Sequence, residues 1–272
     1  ENGMAAATRR LALGYLNGTG LMHCPEHAVE ILEKARHLGQ PEVLDLLGYC
    51  RQQGLGTGSD PKGAFELYRQ AAQKEYAPSL LNLGLCYENG IGTDVNKVKA
   101  FLCYERGANL DQAPCQCSLG FCFLRGIGTP PDPERGVAWL EKAAAQDDPR
   151  ALDLLGVANA SGTGTAQDKV RAAALYERAA AQDYAPSICT LGLCYERGDG
   201  VAVSREKAAE LYRRAAGLGH VDAMCNLGFC YYRGIGVSPS PALAAEWFEK
   251  AAQRGSARAM DLLGDCCMSG LG

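Results

Sequence analysis

Leu83-Gly84-Leu85-Cys86-Tyr87-Glu88-Asn89-Gly90-Ile91-Gly92 decides the fold, because phrases of this kind close on a Gly-x-Gly pair eight times along the chain. The first glycines of the pairs are Gly18, Gly54, Gly90, Gly126, Gly162, Gly198, Gly234 and Gly270, at intervals of 36 residues without one insertion. Seven residues before each stands a leucine: Leu11, Leu47, Leu83, Leu119, Leu155, Leu191, Leu227 and Leu263. Self-similarity at one fixed period of this size is the signature of a solenoid whose repeats stack on their neighbours.

The repeat around Gly54 shows what each period contains. Pro41 to Gln53 places Val43, Leu44, Leu47 and Cys50 at three-and-four spacing, one stripe of a helix that we term helix A. Gly54-Leu55-Gly56 ends it, since glycine adopts the positive φ that closes a helix and costs about 1 kcal/mol inside one. Asp60-Pro61 then starts helix B, which is predicted to run to about Lys74 with Ala64, Leu67, Tyr68, Ala71 and Ala72 buried. Asp132-Pro133 and Ser240-Pro241 repeat that start, and Asn96, Asp168 and Ser204 are the caps expected elsewhere. Small residues recur in two columns of helix B, Ala28 to Ala244 and Ala35 to Ala251, which lets helices approach closely. Pairs such as Trp139-Leu140, Leu175-Tyr176 and Trp247-Phe248 are expected to fill the space between neighbouring repeats.

The whole of residues 1–272 reads as a single repeat solenoid of eight A helices and seven B helices. Gly3-Met4-Ala5-Ala6-Ala7 aligns with Gly39-Gln40-Pro41-Glu42-Val43, so the chain is expected to open in the tail of a missing helix B. It stops on Gly270-Leu271-Gly272, where another helix is due, and the reading is of a segment truncated at both ends. Its net charge of −4 and lack of a Lys or Arg run argue against nucleic acid and against a polybasic membrane patch. No apolar run approaches the roughly 18–20 residues that span a bilayer.

The thirteen cysteines do not form a disulfide pattern. Cys50, Cys86, Cys122, Cys194, Cys230 and Cys266 all fall four residues before the first glycine, where other repeats have Gly14 and Ala158. A position that accepts Gly, Ala or Cys selects small volume, and an unpaired cysteine behaves as a small hydrophobe. Cys117, Cys189 and Cys225 sit five residues before that set, about 140° away on one helix, too far round to be bridged. The odd total and this placement point to a reducing, cytoplasmic compartment.

These residues resemble the Sel-1-like repeat family, a relative of the tetratricopeptide repeats. The pattern runs from Ala223 and Leu227-Gly228 through Tyr231 and Gly234-Ile235-Gly236 to Ala244, Trp247, Ala251 and Ala252. Departures are mild: Ala12 stands for the glycine of one Leu-Gly pair, Arg51 and Asn159 for the aromatic, Arg36 for one alanine. The resemblance implies an all-α, right-handed α/α superhelix of helix-turn-helix repeats with the A helices on its concave side. It also implies scaffold or adaptor work rather than catalysis.

A longer period lies above the first. Val43-Leu44-Asp45-Leu46-Leu47-Gly48 returns around Asp153 and again around Asp261, at intervals of 108 residues. Leu85-Cys86-Tyr87-Glu88 returns as Leu193-Cys194-Tyr195-Glu196. Duplication of a three-repeat block explains this; a surface patch met twice, with Glu88 and Glu196 in matching roles, is the sharper expectation.

Chemistry is sparse. A dinucleotide-type loop needs a strand before its glycines, whereas here a helix precedes them. His23-Cys24-Pro25-Glu26-His27 has metal-ligand types but reads as a solvated helix start, and Cys115-Gln116-Cys117 and Cys266-Cys267 lack zinc spacing. With four histidines and no nucleophile signature, no catalytic, cofactor-binding or metal-binding residue is expected, and no cofactor.

What remains is the face of helix A opposite its core, at positions twelve, eight, five and one before the first glycine. Asn82 and Asn226 stand at the second of these levels, Leu85, Phe121, Leu193 and Phe229 at the third, and Asn89, Arg125, Arg197 and Arg233 at the helix ends. An apolar strip edged by amides and arginines suits an extended peptide, with arginines taking carboxylates. The expected function is therefore a non-enzymatic scaffold binding a protein or peptide. The alternatives are a secreted or envelope cysteine-rich protein binding a host protein, or the targeting or regulatory arm of a larger protein.

Overall fold

The computed structural model describes residues 2–268, with side chains from Met4 to Gly264; Cys266 and Cys267, as side chains, and the pair at Gly270 lie outside them. Among the described residues all regular structure is helical, with one short 3-10 turn at Arg36–Leu38. In chain order the helices are α1 (Asn2–Asn17), α2 (Pro25–Ala35), α3 (Pro41–Gln53), α4 (Pro61–Ala72), α5 (Ala77–Asn89), α6 (Lys97–Asn109), α7 (Ala113–Arg125) and α8 (Pro133–Ala145). There follow α9 (Pro149–Ser161), α10 (Lys169–Ala180), α11 (Ala185–Arg197), α12 (Arg205–Gly217), α13 (Val221–Arg233), α14 (Pro241–Gln253) and α15 (Ala257–Met268). Odd-numbered helices are A helices and even-numbered ones B helices, alternating at the expected period. The chain divides into two compact units, Glu1–Lys142 and Ala143–Gly272, with the boundary inside α8.

The helix starts follow the sequence. Asp60, Asn96, Asp132, Asp168, Ser204 and Ser240 each accept a hydrogen bond from the backbone N–H three residues on, at 2.8–3.4 Å. Helix A ends where Gly54 takes φ +71° and its N–H bonds back to Cys50, and the same geometry recurs at Gly90 and Gly234. The second glycine has a different reason to be there at Gly56, Gly92, Gly128, Gly200 and Gly236, whereas a Cβ on Gly20 would meet nothing within 4 Å. A Cβ on Gly92 would lie 2.1 Å from the Pro61 carbonyl oxygen, and one on Gly236 2.0 Å from that of Arg205. The loop after helix A thus rests on the first turn of the preceding helix B, too close for any side chain.

At the start, α1 is helical from Asn2, through the Gly3-Met4 positions that align with Gly39-Gln40. No described helix precedes α1 to impose a turn there, and Met4-Ala5-Ala6-Ala7 has high helix propensity. For the same reason Leu11 is 43% exposed, whereas Leu47 and Leu227 are fully buried.

Packing centres on the Leu-Gly pair. A Cβ on Gly84 would meet the Tyr104 ring at 2.3 Å, and one on Gly228 the Phe248 ring at 2.6 Å. Gly48 with Tyr68, Gly156 with Tyr176 and Gly192 with Tyr212 repeat the contact, so the aromatic lies on its own repeat rather than only between repeats. Both small-residue columns of helix B are buried except at Ala35, which is partly exposed, with Ala64, Ala71, Ala208 and Ala215 at 0% exposure.

Neighbouring repeats are tied by polar clamps. Arg178 donates to the Ala144 carbonyl and Asp147, and Arg214 to the Ala180 carbonyl and Asp183; in the other unit Arg106 holds Ala72 and Glu75. The acidic partners Glu75, Asp147 and Asp183 have φ near +57°, in the turn between B and A. Where glycine takes that turn, as at Gly39 and Gly219, Lys74 and Arg254 reach its carbonyl instead. The 108-residue period has a physical basis as well: Ser79 donates to Asp45 at 2.6 Å and Ser187 to Asp153 at 2.7 Å, each across adjacent A helices.

Candidate functional site

Each unit carries its own outward stripe of helix A. In Glu1–Lys142 it is carried by α5 and α7. Asn82 is half-buried and its amide donates to Asp45 at 3.0 Å, beside Ser79, so it is already engaged with α3. Leu85 is half-buried and packs on the cluster around Ala100 and Tyr104. Asn89 is exposed and turned back onto its own helix, donating to the Leu85 carbonyl at 3.0 Å. Phe121 is half-buried, and the exposed Arg125 guanidinium lies 5.9 Å from its ring centre.

In Ala143–Gly272 the corresponding stripe closes into a pocket of about 440 Å³ formed by α11, α13 and the start of α15. Leu193, Arg197, Asn226 and Phe229 line it together. Arg233 lies beside it, its guanidinium 5.7 Å from the Phe229 ring and 5.3 Å from that of Tyr232. Asn226 is engaged on both sides, donating to the Cys189 sulfur at 3.7 Å and accepting from Arg258 at 3.1 Å. Arg197 also borders a second pocket of about 350 Å³ against α10, where Lys169 and Asp199 pair at 2.7 Å.

Several residues of the larger pocket were not among the expected ones. Asp222 and Arg258 both occupy the position twelve before the first glycine, which belongs to the stripe but varies in residue type along the chain. His220 caps α13, accepting the Ala223 N–H at Nδ1. Glu196 lines the pocket as well, but its Oε2 accepts the Tyr212 hydroxyl at 2.6 Å, as Glu88 accepts that of Tyr104. The matching roles expected of Glu88 and Glu196 are thus internal ones, bracing helix A against helix B.

The sulfur in the pocket is chemically quiet. Burial pushes the Cys189 thiol up to about 12, with Asp222 adding to the shift and Arg258 opposing it, and burial pushes Cys230 up to about 11. Nucleophilic and metal-binding work needs thiolate, and these groups stay protonated at neutral pH. They behave as apolar wall. The same holds for Cys50, Cys86 and Cys103, each raised to about 11 by burial, and all eleven described cysteines are free.

The architecture has solved relatives. A Sel1 repeat protein from Oxalobacter formigenes is 28% identical and superposes with a TM-score of 0.78, over 88% of this chain and 96% of that one. A protective antigen present in uropathogenic Escherichia coli strains, also 28% identical, matches 99% of this chain with a TM-score of 0.71. This chain spans 58% of that antigen's length. Cut9–Hcn1 of the APC/C, at 15% identity and a TM-score of 0.61 over 94% of this chain and 51% of that one, shares the fold alone. No curated protein matches. The Sel1 repeat pattern itself fits residues 5–40, 41–76, 77–112, 113–148, 149–184, 185–220 and 221–256, and six of these frames open on the first residue of a helix A, from Pro41 to Val221. Seven consecutive matches, six of them in register with the glycine that the A helices from α3 to α13 lay against their helix B, make this chain a member of the Sel1 repeat family.

Proposed function

We propose that this chain is a protein-interaction scaffold that binds a peptide or partner protein on the outward stripe of its A helices. Sel1 repeat proteins are generally scaffolds of this kind and typically non-catalytic. One observation carries the reading to a place: Leu193, Arg197, Asn226 and Phe229, chosen by their position in the repeat, line one pocket. Its walls are apolar carbon and protonated sulfur, and its rim holds guanidinium groups. Such a surface buries a side chain and orients a backbone or carboxylate, and it offers no activated nucleophile.

The test is capture from native lysate by the chain and by its Arg125→Glu, Arg197→Glu, Arg233→Glu variant. All three side chains are exposed, so the variant keeps its fold. A partner retained by the parent and lost from the variant supports the A-helix surface. A partner retained by both overturns it and assigns recognition to the B helices or the loops.

We further assign the chain to a reducing, cytoplasmic compartment, on the strength of its free, buried and protonated thiols. The likeness to a protective antigen favours a second reading, an envelope or secreted protein meeting a host partner. Alkylation of the native protein followed by mass spectrometry separates the two: disulfides in the native protein exclude the cytoplasmic assignment.

A further inference from the structure

We infer that the α11–α13–α15 pocket takes an acidic peptide segment in which carboxylates flank one aromatic or large aliphatic side chain. This rests on the A-helix surface proposed above and adds the chemistry of its occupant.

The first support is the pattern of charge pairing. Five arginines elsewhere are committed to carboxylates: Arg51 to Glu33, Arg69 to Glu66, Arg106 to Glu75, Arg178 to Asp147 and Arg214 to Asp183. Arg197, Arg233 and Arg258 stand around one pocket and have no carboxylate partner among the described residues. In a chain of net charge −4, a group of unpaired cations is a local reversal of sign. Of the two acids at the pocket, Glu196 is engaged by the Tyr212 hydroxyl, which leaves Asp222 against three guanidinium groups. Such a rim attracts anionic segments and orients carboxylates through paired N–H donors.

The second support is that two of these cations are held in place. Arg258 donates to Asn226, and Arg233 lies over the Phe229 and Tyr232 rings. Side chains fixed before binding lose less entropy on binding. Between them, Leu193 and Phe229 are half-exposed over the buried Cys189 and Cys230, a floor that receives one apolar side chain. At the equivalent positions 108 residues earlier, Arg125 and Arg150 stand where Arg233 and Arg258 do, and the counterpart of Arg197 is missing. Asn89 replaces Arg197 and bonds its own helix, leaving Arg125 as the arginine of that stripe on α5 and α7.

The probe is an unbiased phage-displayed peptide library panned on the full chain, followed by anisotropy titrations of an enriched, fluorescein-labelled peptide. The expected result is enrichment of Asp and Glu around a Phe, Leu or Trp. Arg197→Glu with Arg258→Glu then weakens the peptide by about tenfold or more, whereas Arg125→Glu leaves it within about twofold. Thr190→Trp, which fills the pocket from its wall, abolishes binding. Unchanged melting temperatures establish that these variants fold. Enrichment of peptides that lose binding to Thr190→Trp but carry no acidic bias overturns the acidic occupant and leaves the A-helix surface standing. Peptides indifferent to both Thr190→Trp and the charge reversal, or no enrichment, overturn the inference and count against the A-helix surface together.

Discussion

The face of α5 and α7 and the face of α11 and α13 are separated by 108 residues and differ in an ordered way. Leu85, Glu88, Phe121, Cys122 and Arg125 are kept as Leu193, Glu196, Phe229, Cys230 and Arg233. Asn82, Asn89, Gln112 and Pro114 become Thr190, Arg197, His220 and Asp222. The kept residues repeat their contacts: both glutamates accept a tyrosine hydroxyl at 2.6 Å, and both arginines lie over a phenylalanine at 5.9 and 5.7 Å. The changed residues stand at the rim and alter its charge. The repeat therefore separates its duties by position, with the inner levels fixed by packing and the outer levels free to specify a ligand.

The largest effects should strike both faces alike, because they act on the shared frame. Gly92→Ala and Gly200→Ala each force a Cβ to within 2.1 and 2.0 Å of a backbone carbonyl oxygen, at φ +69° and +77°. Backbone cannot rotate away as a side chain can, so each should cost about 3 kcal/mol or more in chemical denaturation, from overpacking with unfavourable φ. A clear inequality between them would mean that the two loops are not equivalent. Gly228→Val should follow at about 1–3 kcal/mol, since its Cβ would lie 2.6 Å from the movable Phe248 ring. Equal melting temperatures for Gly228→Val and Arg233→Ala would break the assigned register.

A smaller effect should tell the faces apart. Asp45 accepts from both Ser79 and Asn82, whereas Asp153 has Ser187, and Thr190 at the position of Asn82 bonds the Pro186 carbonyl of its own helix. Burial raises both carboxyls above the ordinary aspartate value, and the serine hydroxyls oppose that shift. A raised folded pKa means that the native state binds the proton more tightly. The carboxyl's contribution to stability therefore falls as pH rises from the ordinary aspartate value through the folded one, and is level above it. Removing Ser187 raises the folded value further. Ser187→Ala should cost about 1–3 kcal/mol at neutral pH, less in acid where Asp153 is protonated, and more than Ser79→Ala, which leaves Asn82 in place. Denaturation curves of both variants at acid and neutral pH measure this, and a pH-independent cost would break the assignment to Asp153.

The frame was legible in the sequence because its causes are local. Helix α3 has the bounds read from its periodicity, Pro41 to Gln53, and every cap named from Asp, Asn or Ser accepts its hydrogen bond. What escaped depends on atoms without a letter code. The second glycine faces a backbone carbonyl of the preceding helix B, and no residue type marks a carbonyl. The Asp–Ser tie was visible only as two phrases recurring together, Asp-Leu-Leu-Gly and Ala-Pro-Ser, whose side chains meet across adjacent helices. In the site, position alone found Leu193, Arg197, Asn226 and Phe229, but it missed Arg258 and Asp222 because their level carries proline elsewhere, as at Pro78, Pro114 and Pro186. A level that packs nothing keeps no residue type, and so shows no period.

The smallest effect on stability should accompany the largest on recognition. Arg197→Glu and Arg125→Glu alter exposed side chains that make no ion pair among the described residues, and each should change stability by less than about 0.5 kcal/mol. Their effects on binding should diverge. Arg125 faces an apolar strip whose next helix end carries a neutral amide, while Arg197 shares its pocket with Arg258 and stands at the mouth of a second one. If the two reversals cut partner capture equally, the outward stripe acts as one surface and the rim residues that differ between the faces carry no selectivity. If only Arg197→Glu does so, the residues that the 108-residue duplication failed to preserve are the ones that choose the ligand.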